Sequence, residues 1–530
     1  SSNAIGAIET ADIVGLTTAN VAALRSAQLV GLATAQVAAL STNQIAALST
    51  AAVSGLTTNQ IVALTTGQAS SLSTAQVAGL TTAAIAALET ADFAALKSDA
   101  IAALSANQIK ALTTDQVVAL TTAEAAALST AQVSALSSNA IAALETADLS
   151  AIKTAGIAAL SSAQVAALTT AQVNNLATAS LAALSTAGIA ALTTNQVVAL
   201  TSAQLSSLAS AQVAALSSNA IGAIETADIV GLTTANVAAL RSAQLVGLAT
   251  AQVAALSTNQ IAALSTAAVS GLTTNQIVAL TTAQASSLST AQVAGLTTSA
   301  IAALETADFA ALKSDAIAAL SANQVKALTT NQVVALTTAE AAALSTAQVA
   351  ALSTDAIAAL ETADLSAIKT AAVAALSSGQ VAALTTAQVN NLATASLAAL
   401  STAGIAALTT NQVVALTSAQ LSSLASAQVA ALSSNAIGAI ETADIVGLTT
   451  ANVAALRSAQ LVGLATAQVA ALSTNQIAAL STAAVSGLTT NQIVALTTGQ
   501  ASSLSTAQVA GLSTAAIAAL ETADFAALKS

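Results

Sequence analysis

The octapeptide AQVAALST, residues 35–42, is the repeat unit from which the whole sequence is built. Every residue whose number is divisible by eight is Leu or Ile, from Ile8 to Leu528, so 66 octads follow one another without insertion or deletion. A fixed period of this kind indicates a repeat protein, in which each unit buries its apolar side on its neighbours. We therefore predict a single continuous octad-repeat array over residues 1–530, with no separate globular domain.

The composition excludes several classes of protein. Hydrophobic residues make up 55% of the chain, yet only 1% are aromatic and 6% charged, and Pro, Cys, Met, Trp, Tyr and His are absent. Without His or Cys the chain has no Cys/His zinc site and no Cys or Ser–His nucleophile. The net charge of −12 and only ten basic residues argue against a nucleic-acid partner, because phosphate binding needs clustered Lys and Arg.

Polar residues interrupt every apolar run after about five residues, far short of the ~20 that a membrane-spanning helix needs. We therefore expect no membrane-spanning segment. The sequence starts in register at Ser1, with no Met, basic segment or signal-like apolar core. This start predicts an interior segment of a longer protein.

Two columns of the octad are the expected core. With Leu40 at position eight, position eight is always Leu or Ile, and position five is nearly always Val, Ile or Leu. The three aromatic residues, Phe93, Phe309 and Phe525, also occupy position five, so we assign them to the core. Position seven is almost always Ala or Gly, and we expect another part of the chain to pack closely over it.

Charged residues are confined to positions one, three, four and six, as in Glu9, Asp99, Asp12 and Lys110. We therefore expect these four positions to face solvent, including the usual Gln of position four. Replacing such glutamines by Glu should then be nearly silent, whereas Asp at position eight should unravel the array locally.

The spacing of the core columns predicts the backbone. A straight α-helix advances about 100° per residue, so an eight-residue stripe would circle it within about five octads. A β-strand fails because positions five and eight have opposite parity. Spacings of three and five instead fit one helical turn followed by a corner at the hydroxyl pair Ser41-Thr42. The predicted fold is all-α, a repeat solenoid of very short helices, one per octad, stacked into a rod or superhelix.

The corner carries its own capping signals. Ser41 and Gln44 form the S/T-x-x-Q pattern of a capping box, and the pattern recurs along the chain. Where Glu takes position one, as Glu89 does, Asp92 and its equivalents follow at position four, and carboxylates are favoured at a helix N-terminus. Thr at position two is then an alternative cap, and we expect most position-two hydroxyls to be used in capping.

The sequence also has a second, longer period of 27 octads. The super-repeats span residues 1–216, 217–432 and, incompletely, 433–530. Since 27 octads divide into nine groups of three, we prefer three octads per coil.

We assign no catalytic, cofactor-binding or metal-binding residue and no cofactor. Carboxylate pairs such as Glu89/Asp92 and Glu305/Asp308 are of a kind that does acid–base chemistry or binds calcium, but no glycine-rich calcium loop accompanies them. We interpret them as helix caps. Lysines one octad behind such a Glu, for example Lys97, are expected to be solvated or to make weak pairs between coils.

The pair Asn174-Asn175 and its copy Asn390-Asn391 interrupt the small-residue column. We expect an exposed kink or bulge there, and these are the places to look for a partner-specific feature.

The phrase (S/T)-T-x-Q-(V/I)-x-A-L resembles the Ala/Thr-rich octapeptide repeats of very long bacterial proteins that are secreted or displayed on the cell surface. The resemblance covers the whole sequence and carries no catalytic or binding residue to transfer. It implies a low-complexity fibrous protein with an extracellular or cell-surface location.

We therefore predict a structural protein and not an enzyme, which forms a stiff rod, thread or filament at or outside the cell surface and associates with itself. No nucleic acid and no small-molecule substrate are expected. The alternative is an adhesin stalk or a repetitive binding surface, because a regular lattice of Thr and Ser hydroxyls is suited to ordering ice or carrying glycans.

Overall fold

A computed structural model of the chain describes residues 2–528; the predicted ends of the array, at Ser1 and at residues 529 and 530, lie outside the described residues. The regular structure within residues 2–528 is entirely helical, with no strand and one short helix per octad. The predicted all-α solenoid of very short helices is confirmed. The chain divides into two compact units, Ser1–Leu272 and Thr273–Ser530, each built in the same way.

Every α-helix begins at position two of its octad and ends at position five, six or seven. The four-residue helices are Thr10–Ile13, Ser26–Leu29, Thr50–Val53, Thr266–Val269, Thr370–Val373 and Thr482–Val485. The five-residue helices are Ser2–Gly6, Thr18–Ala22, Thr58–Val62, Thr90–Ala94, Ser98–Ala102, Ala106–Lys110, Thr114–Val118, Thr154–Ala158, Thr186–Ala190, Thr194–Val198, Thr234–Ala238, Ser242–Val246, Thr274–Val278, Thr306–Ala310, Ser314–Ala318, Ala322–Lys326, Thr330–Val334, Thr394–Ala398, Thr402–Ala406, Thr410–Val414, Thr450–Ala454, Ser458–Val462 and Thr490–Val494. Two octads form a 3-10 turn instead, at Ile229–Gly231 and Ile445–Gly447. All other octads hold a six-residue helix from position two to position seven, the first Thr34–Ala39 and the last Thr522–Ala527.

The predicted capping box fixes where each helix starts. Ser41 is the N-cap, with extended backbone at φ −72° and ψ 158°. Its hydroxyl accepts the N–H of Gln44 at 3.3 Å, and Oε1 of Gln44 accepts the N–H of Ser41 at 2.7 Å. At the other end Leu48 returns to extended backbone, with φ −60° and ψ 135°, and the chain turns into the next octad. Position one is therefore the cap and position eight the corner.

Positions five and eight form the buried core, as predicted, with Ile45 and Leu48 as typical members. Phe93 and Phe309 are fully buried there, but the assignment of Phe525 to the core is wrong, because its side chain is 57% exposed. The helix Thr114–Val118 packs on the helix that carries Phe93, and Thr330–Val334 packs in the same way on the helix that carries Phe309.

Each helix packs on the helix three octads away, as Thr42–Ala47 does on Thr66–Ser71. Hydrogen bonds between coils, however, join residues 25 to 31 apart, which is more than three octads contain. The guanidinium of Arg241, for example, bonds the carbonyl of Ala214, 27 residues earlier. A coil of about 27 residues, one eighth of the super-repeat, accounts for these separations. A coil of this length is slightly longer than the three octads that we expected.

Candidate functional site: the polar contacts between coils

Position four is buried, and the expectation that it faces solvent is wrong. Gln44 is only 3% exposed, and the position-four glutamines from Gln36 to Gln508 are buried in the same way. Nε2 of Gln60 donates to the carbonyls of Leu29 and Leu32, each at 2.7 Å, 31 and 28 residues earlier. Oε1 of the same amide accepts the N–H of Thr57 at 2.9 Å. One side chain therefore joins the start of its own helix to the end of a helix in the previous coil.

This arrangement answers a problem that very short helices create. The last carbonyls of a helix have no partner within it, and burying them without a donor is costly. Leu29 and Leu32 occupy positions five and eight, where such carbonyls lie, and the amide of Gln60 supplies both with a donor. A Glu in its place has no hydrogen to give, so the expectation that Gln-to-Glu changes are silent no longer holds.

The sequence held a signal for this burial that our interpretation by charge missed. Position four carries Gln, Asn, Asp, Glu, Ala, Gly or Ser, but never Lys or Arg. A solvent-facing column would accept cations as readily as anions. A buried position whose side chain must accept hydrogen bonds, or must leave room for a neighbouring side chain, excludes Lys and Arg.

The carboxylate pairs are not local helix caps. Glu89 occupies the N-cap position but makes no side-chain capping bond, and Thr90 begins the helix without capping it. Asp92 is buried, and its Oδ1 accepts the hydroxyl of Thr66 in the previous coil at 2.8 Å. Its other oxygen, Oδ2, has no hydrogen-bond partner. Asp at position four therefore joins coils, as Gln does, but by accepting a hydroxyl rather than donating to carbonyls.

Glu124 combines the two roles. One carboxylate oxygen accepts the N–H of Thr121 at 2.9 Å, as predicted for a capping box, and the other accepts the hydroxyl of Ser98 at 3.1 Å from the previous coil. A buried Glu is therefore held only where a hydroxyl in the coil below turns toward it.

Position-two hydroxyls do not cap helices, which corrects the second capping expectation. They lie at the first helical residue, and some of them bond to the next coil, as the hydroxyl of Ser162 does by donating to the carbonyl of Ala187 at 3.1 Å. The close approach predicted at position seven is confirmed, because a Cβ added to Gly55 would lie 2.3 Å from Cβ of Ser26. Positions two and seven thus form the tight seam between coils.

The asparagine pairs produce no kink. Asn174 and Asn175 end the regular helix Thr170–Asn175 and are exposed. Nδ2 of Asn174 donates to the carbonyl of Ala199 in the next coil at 2.8 Å, and Nδ2 of Asn175 donates to Ala171 within its own helix. The expected bulge is therefore absent, since each amide donates a hydrogen bond to a backbone carbonyl of the regular array.

The copy of this pair in the second unit borders a groove of about 440 Å³. Asn390, Asn411 and the apolar side chain of Val414 line one side, and Glu441 and Asp444 line the other. Oδ1 of Asp444 accepts both the N–H and the hydroxyl of Ser418, at 2.7 and 2.6 Å. The groove thus presents amides, aliphatic residues and an exposed carboxylate.

The carboxylates of the described chain are dispersed along it. No three Asp or Glu side chains of residues 2–528 come together in a group able to hold a metal ion. In that same part of the chain, none of the helices has the length and apolar character needed to cross a bilayer.

Comparison with protein families identifies the repeat itself. The family described as the ALTTAQ repeat matches twelve segments that together cover most of the chain. The segments are residues 5–42, 37–74, 85–122, 141–178, 174–202, 221–258, 250–282, 301–338, 357–394, 391–426, 437–474 and 469–506. A comparison with curated proteins found no match.

Proposed function

Because the chain belongs to the ALTTAQ repeat family, we propose that it is a structural fibrous protein whose coils continue one another as a stiff rod or thread. The observation that carries this proposal is the position-four amide, which ties each coil to the one before it. Gln68 and Gln76 repeat the bonds of Gln60 one and two octads later, at the same separations of 28 and 31 residues. A contact that every octad can repeat sets no limit on length.

The energetics favour a long array over a short one. A buried Leu and Val contribute about 3 kcal/mol per octad, and each satisfied amide about 1 kcal/mol net. Ordering eight residues costs a comparable amount, so a single coil has little stability by itself. Since each coil contacts only its neighbours, stability accumulates along the array.

Small-angle X-ray scattering of the 530-residue chain tests the rod directly. Helices of adjacent coils pack roughly 8 to 10 Å apart, so about 20 coils of about 27 residues extend some 160 to 200 Å. The expected radius of gyration is then about 50 Å, whereas a globule of this length would have about 24 Å. A value near the globular one would contradict the proposal.

The proposed location is at or outside a bacterial cell surface, where threads of this kind associate with one another. Its support is the resemblance of the octad to repeats of very long secreted or surface-displayed bacterial proteins. Antibodies against the array should label intact cells of the source organism as strongly as permeabilised cells. Labelling that requires permeabilisation would place the thread inside and exclude this part of the proposal.

One observation supports the alternative of a repetitive binding surface. Most position-two side chains are exposed, and their hydroxyls are free of the capping role. A hydroxyl column of this kind is suited to ordering ice or carrying O-linked glycans. Ice-recrystallisation assays of the purified chain, and mass spectrometry of chain isolated from its source, test the two cases. Inhibition of ice growth or attached hexoses would favour the alternative.

A further inference from the structure

The acidic groove of the second unit has a counterpart in the first unit. Val414 and Glu441, which line the groove together, are separated by one coil length. Val198 and Glu225 stand in the same relation one super-repeat earlier, and the hydroxyl of Ser202 again donates to Asp228. Val414 is 40% exposed, and Val198 is similarly open to solvent. Each super-repeat therefore presents an exposed valine beneath an exposed carboxylate.

The same pair recurs at the same angular place on the coil. In the first unit an exposed valine precedes a position-one Glu by one coil length at Val62/Glu89, Val118/Glu145 and Val198/Glu225. These glutamates follow one another at intervals of seven and then ten octads, which are close to two and three whole coils. Within each unit these pairs therefore follow one face, which we call the acidic face.

A second exposed feature recurs once per super-repeat and carries the opposite charge. Arg241 and Val246 belong to one octad, as do Arg457 and Val462, and both valines are 52% exposed. Nη2 of Arg457 donates to the carbonyl of Ala430 in the previous coil at 2.6 Å, and the Arg457 side chain is exposed. We call these Arg/Val octads the basic ridge.

The basic ridge lies nearly opposite the acidic face. Arg241 follows Glu225 by two octads, and Arg457 follows Glu441 by the same interval. In a coil slightly longer than three octads, two octads make about six tenths of a turn. The two features therefore point away from each other on a single chain, at almost the same height along it.

We propose that two copies of this chain associate side by side, with the basic ridge of one copy on the acidic face of the other. This inference rests on the proposed function, because it takes the array to be a rod. Arg–carboxylate pairing and burial of the paired valines supply the contact, and opposite charges select which faces meet. Because each unit carries both features, contacts made by both units together give a stronger association than one contact alone. Each copy uses two different faces, so the contact is heterologous, and further copies can add at either side.

Charge-swapped variants of the full chain test the pairing by sedimentation. The variant R241E/R457E removes two of the three ridge arginines and leaves Arg25, whose octad carries the equally exposed Val30. The variant E225R/E441R reverses the acidic face at the level of the two altered arginines. All four positions are position one, where the array already carries both Arg and Glu, so folding should be retained. We expect the concentration for half-assembly to rise at least about tenfold in each variant, and to recover when the two variants are mixed or the four changes are combined.

The variant K313E/K369E is the matched control for R241E/R457E, since it makes the same change in net charge about a third of a coil away from the acidic face. It should assemble within about twofold of the unaltered chain, and assembly of the unaltered chain should weaken with salt. Equal loss in the control, or no recovery in the mixture, would exclude this pairing. An unaltered chain that stays monomeric but scatters as a rod would exclude the pairing while leaving the proposed function intact.

Discussion

The octad ETADIVGL occurs at residues 9–16 and again at 225–232, yet its two copies fold differently. In the first copy Thr10–Ile13 is a short α-helix, whereas in the second the chain makes a turn followed by the 3-10 helix Ile229–Gly231. The second copy stands on an earlier coil, from which the backbone N–H of Ser202 donates to Asp228 at 2.8 Å. Asp12, the equivalent of Asp228 in the first copy, is exposed.

The contact from the coil above does not explain the difference, because both copies have it. Gln44 donates to the carbonyl of Leu16 and Gln260 to that of Leu232, each at 2.6 Å. The bonds from Ser202 in the coil below are therefore the contact that distinguishes the two copies. An octad in this array takes its final conformation from its neighbours, and not from its own sequence alone.

The largest expected effect is the loss of core at the supported copy. Leu232→Asp places a charge in a buried site, and we expect about 4 kcal/mol or more of local destabilisation. Leu16 is only partly buried, so Leu16→Asp should cost less than half as much. Hydrogen exchange of peptides from each octad, which measures local opening, compares the two. Equal costs would mean that support from below does not bury position eight.

The next effect concerns the amide above, where the two copies should agree. Gln260→Glu and Gln44→Glu each remove the donor from buried carbonyls, with an expected cost of about 2 to 3 kcal/mol at both places. Asn259→Asp adds the same charge at the exposed neighbouring position and should cost under about 0.5 kcal/mol. Denaturant melts and local hydrogen exchange measure the differences. A silent Gln260→Glu would restore the view that position four behaves as surface.

A smaller effect distinguishes the copies again, through their glycines. A Cβ on Gly231 would lie 2.4 Å from the carbonyl oxygen of Ser202, so Gly231→Ala must displace backbone, at about 1 to 3 kcal/mol. A Cβ on Gly15 meets only the carbonyl oxygen of Asp12, at 3.2 Å. Gly15→Ala should therefore be within about 0.5 kcal/mol of neutral. Thermal melts of the two variants give the comparison, and an order opposite to this one would refute the close seam at position seven.

The smallest effect is the loss of one hydroxyl. Ser202→Ala leaves the backbone N–H bond to Asp228 and removes only the side-chain bond, so we expect about 1 kcal/mol. Ser206 bonds only within its own helix, and Ser206→Ala serves as the control with a smaller change. If Ser202→Ala instead converts residues 226–231 to an α-helix, as circular dichroism and exchange would reveal, the hydroxyl rather than the N–H sets the turn.

The features that sequence predicts well here are local ones. The capping box at Ser41 and Gln44 and the core at Leu48 depend on residues within a single octad or its immediate neighbour, so the octad pattern alone yields the helices, corners and core. The burial of Gln60 depends on carbonyls 28 and 31 residues away. That separation is set by the angle at each corner, which no column of the octad encodes.

The candidate surfaces also could not be predicted from the octad pattern. Glu441 and Val414 are ordinary exposed residues until the coil length places them together. The intervals of seven and ten octads between successive Glu-Thr-Ala-Asp octads were visible in the sequence, but they acquire meaning only as near-multiples of one coil. Without the coil length, these intervals look like irregular spacing.

The mismatch between an eight-residue unit and a coil of about 27 residues has a consequence for the gene. Inserting or deleting one octad would keep every core column in place, yet it would rotate all later octads by almost a third of a turn and scatter the exposed residues around the coil. Gain or loss of a whole super-repeat, by contrast, restores each residue to its former side. Recombination between near-identical copies can therefore lengthen or shorten the protein harmlessly in steps of one super-repeat, and alleles of different length should differ by whole blocks of that size.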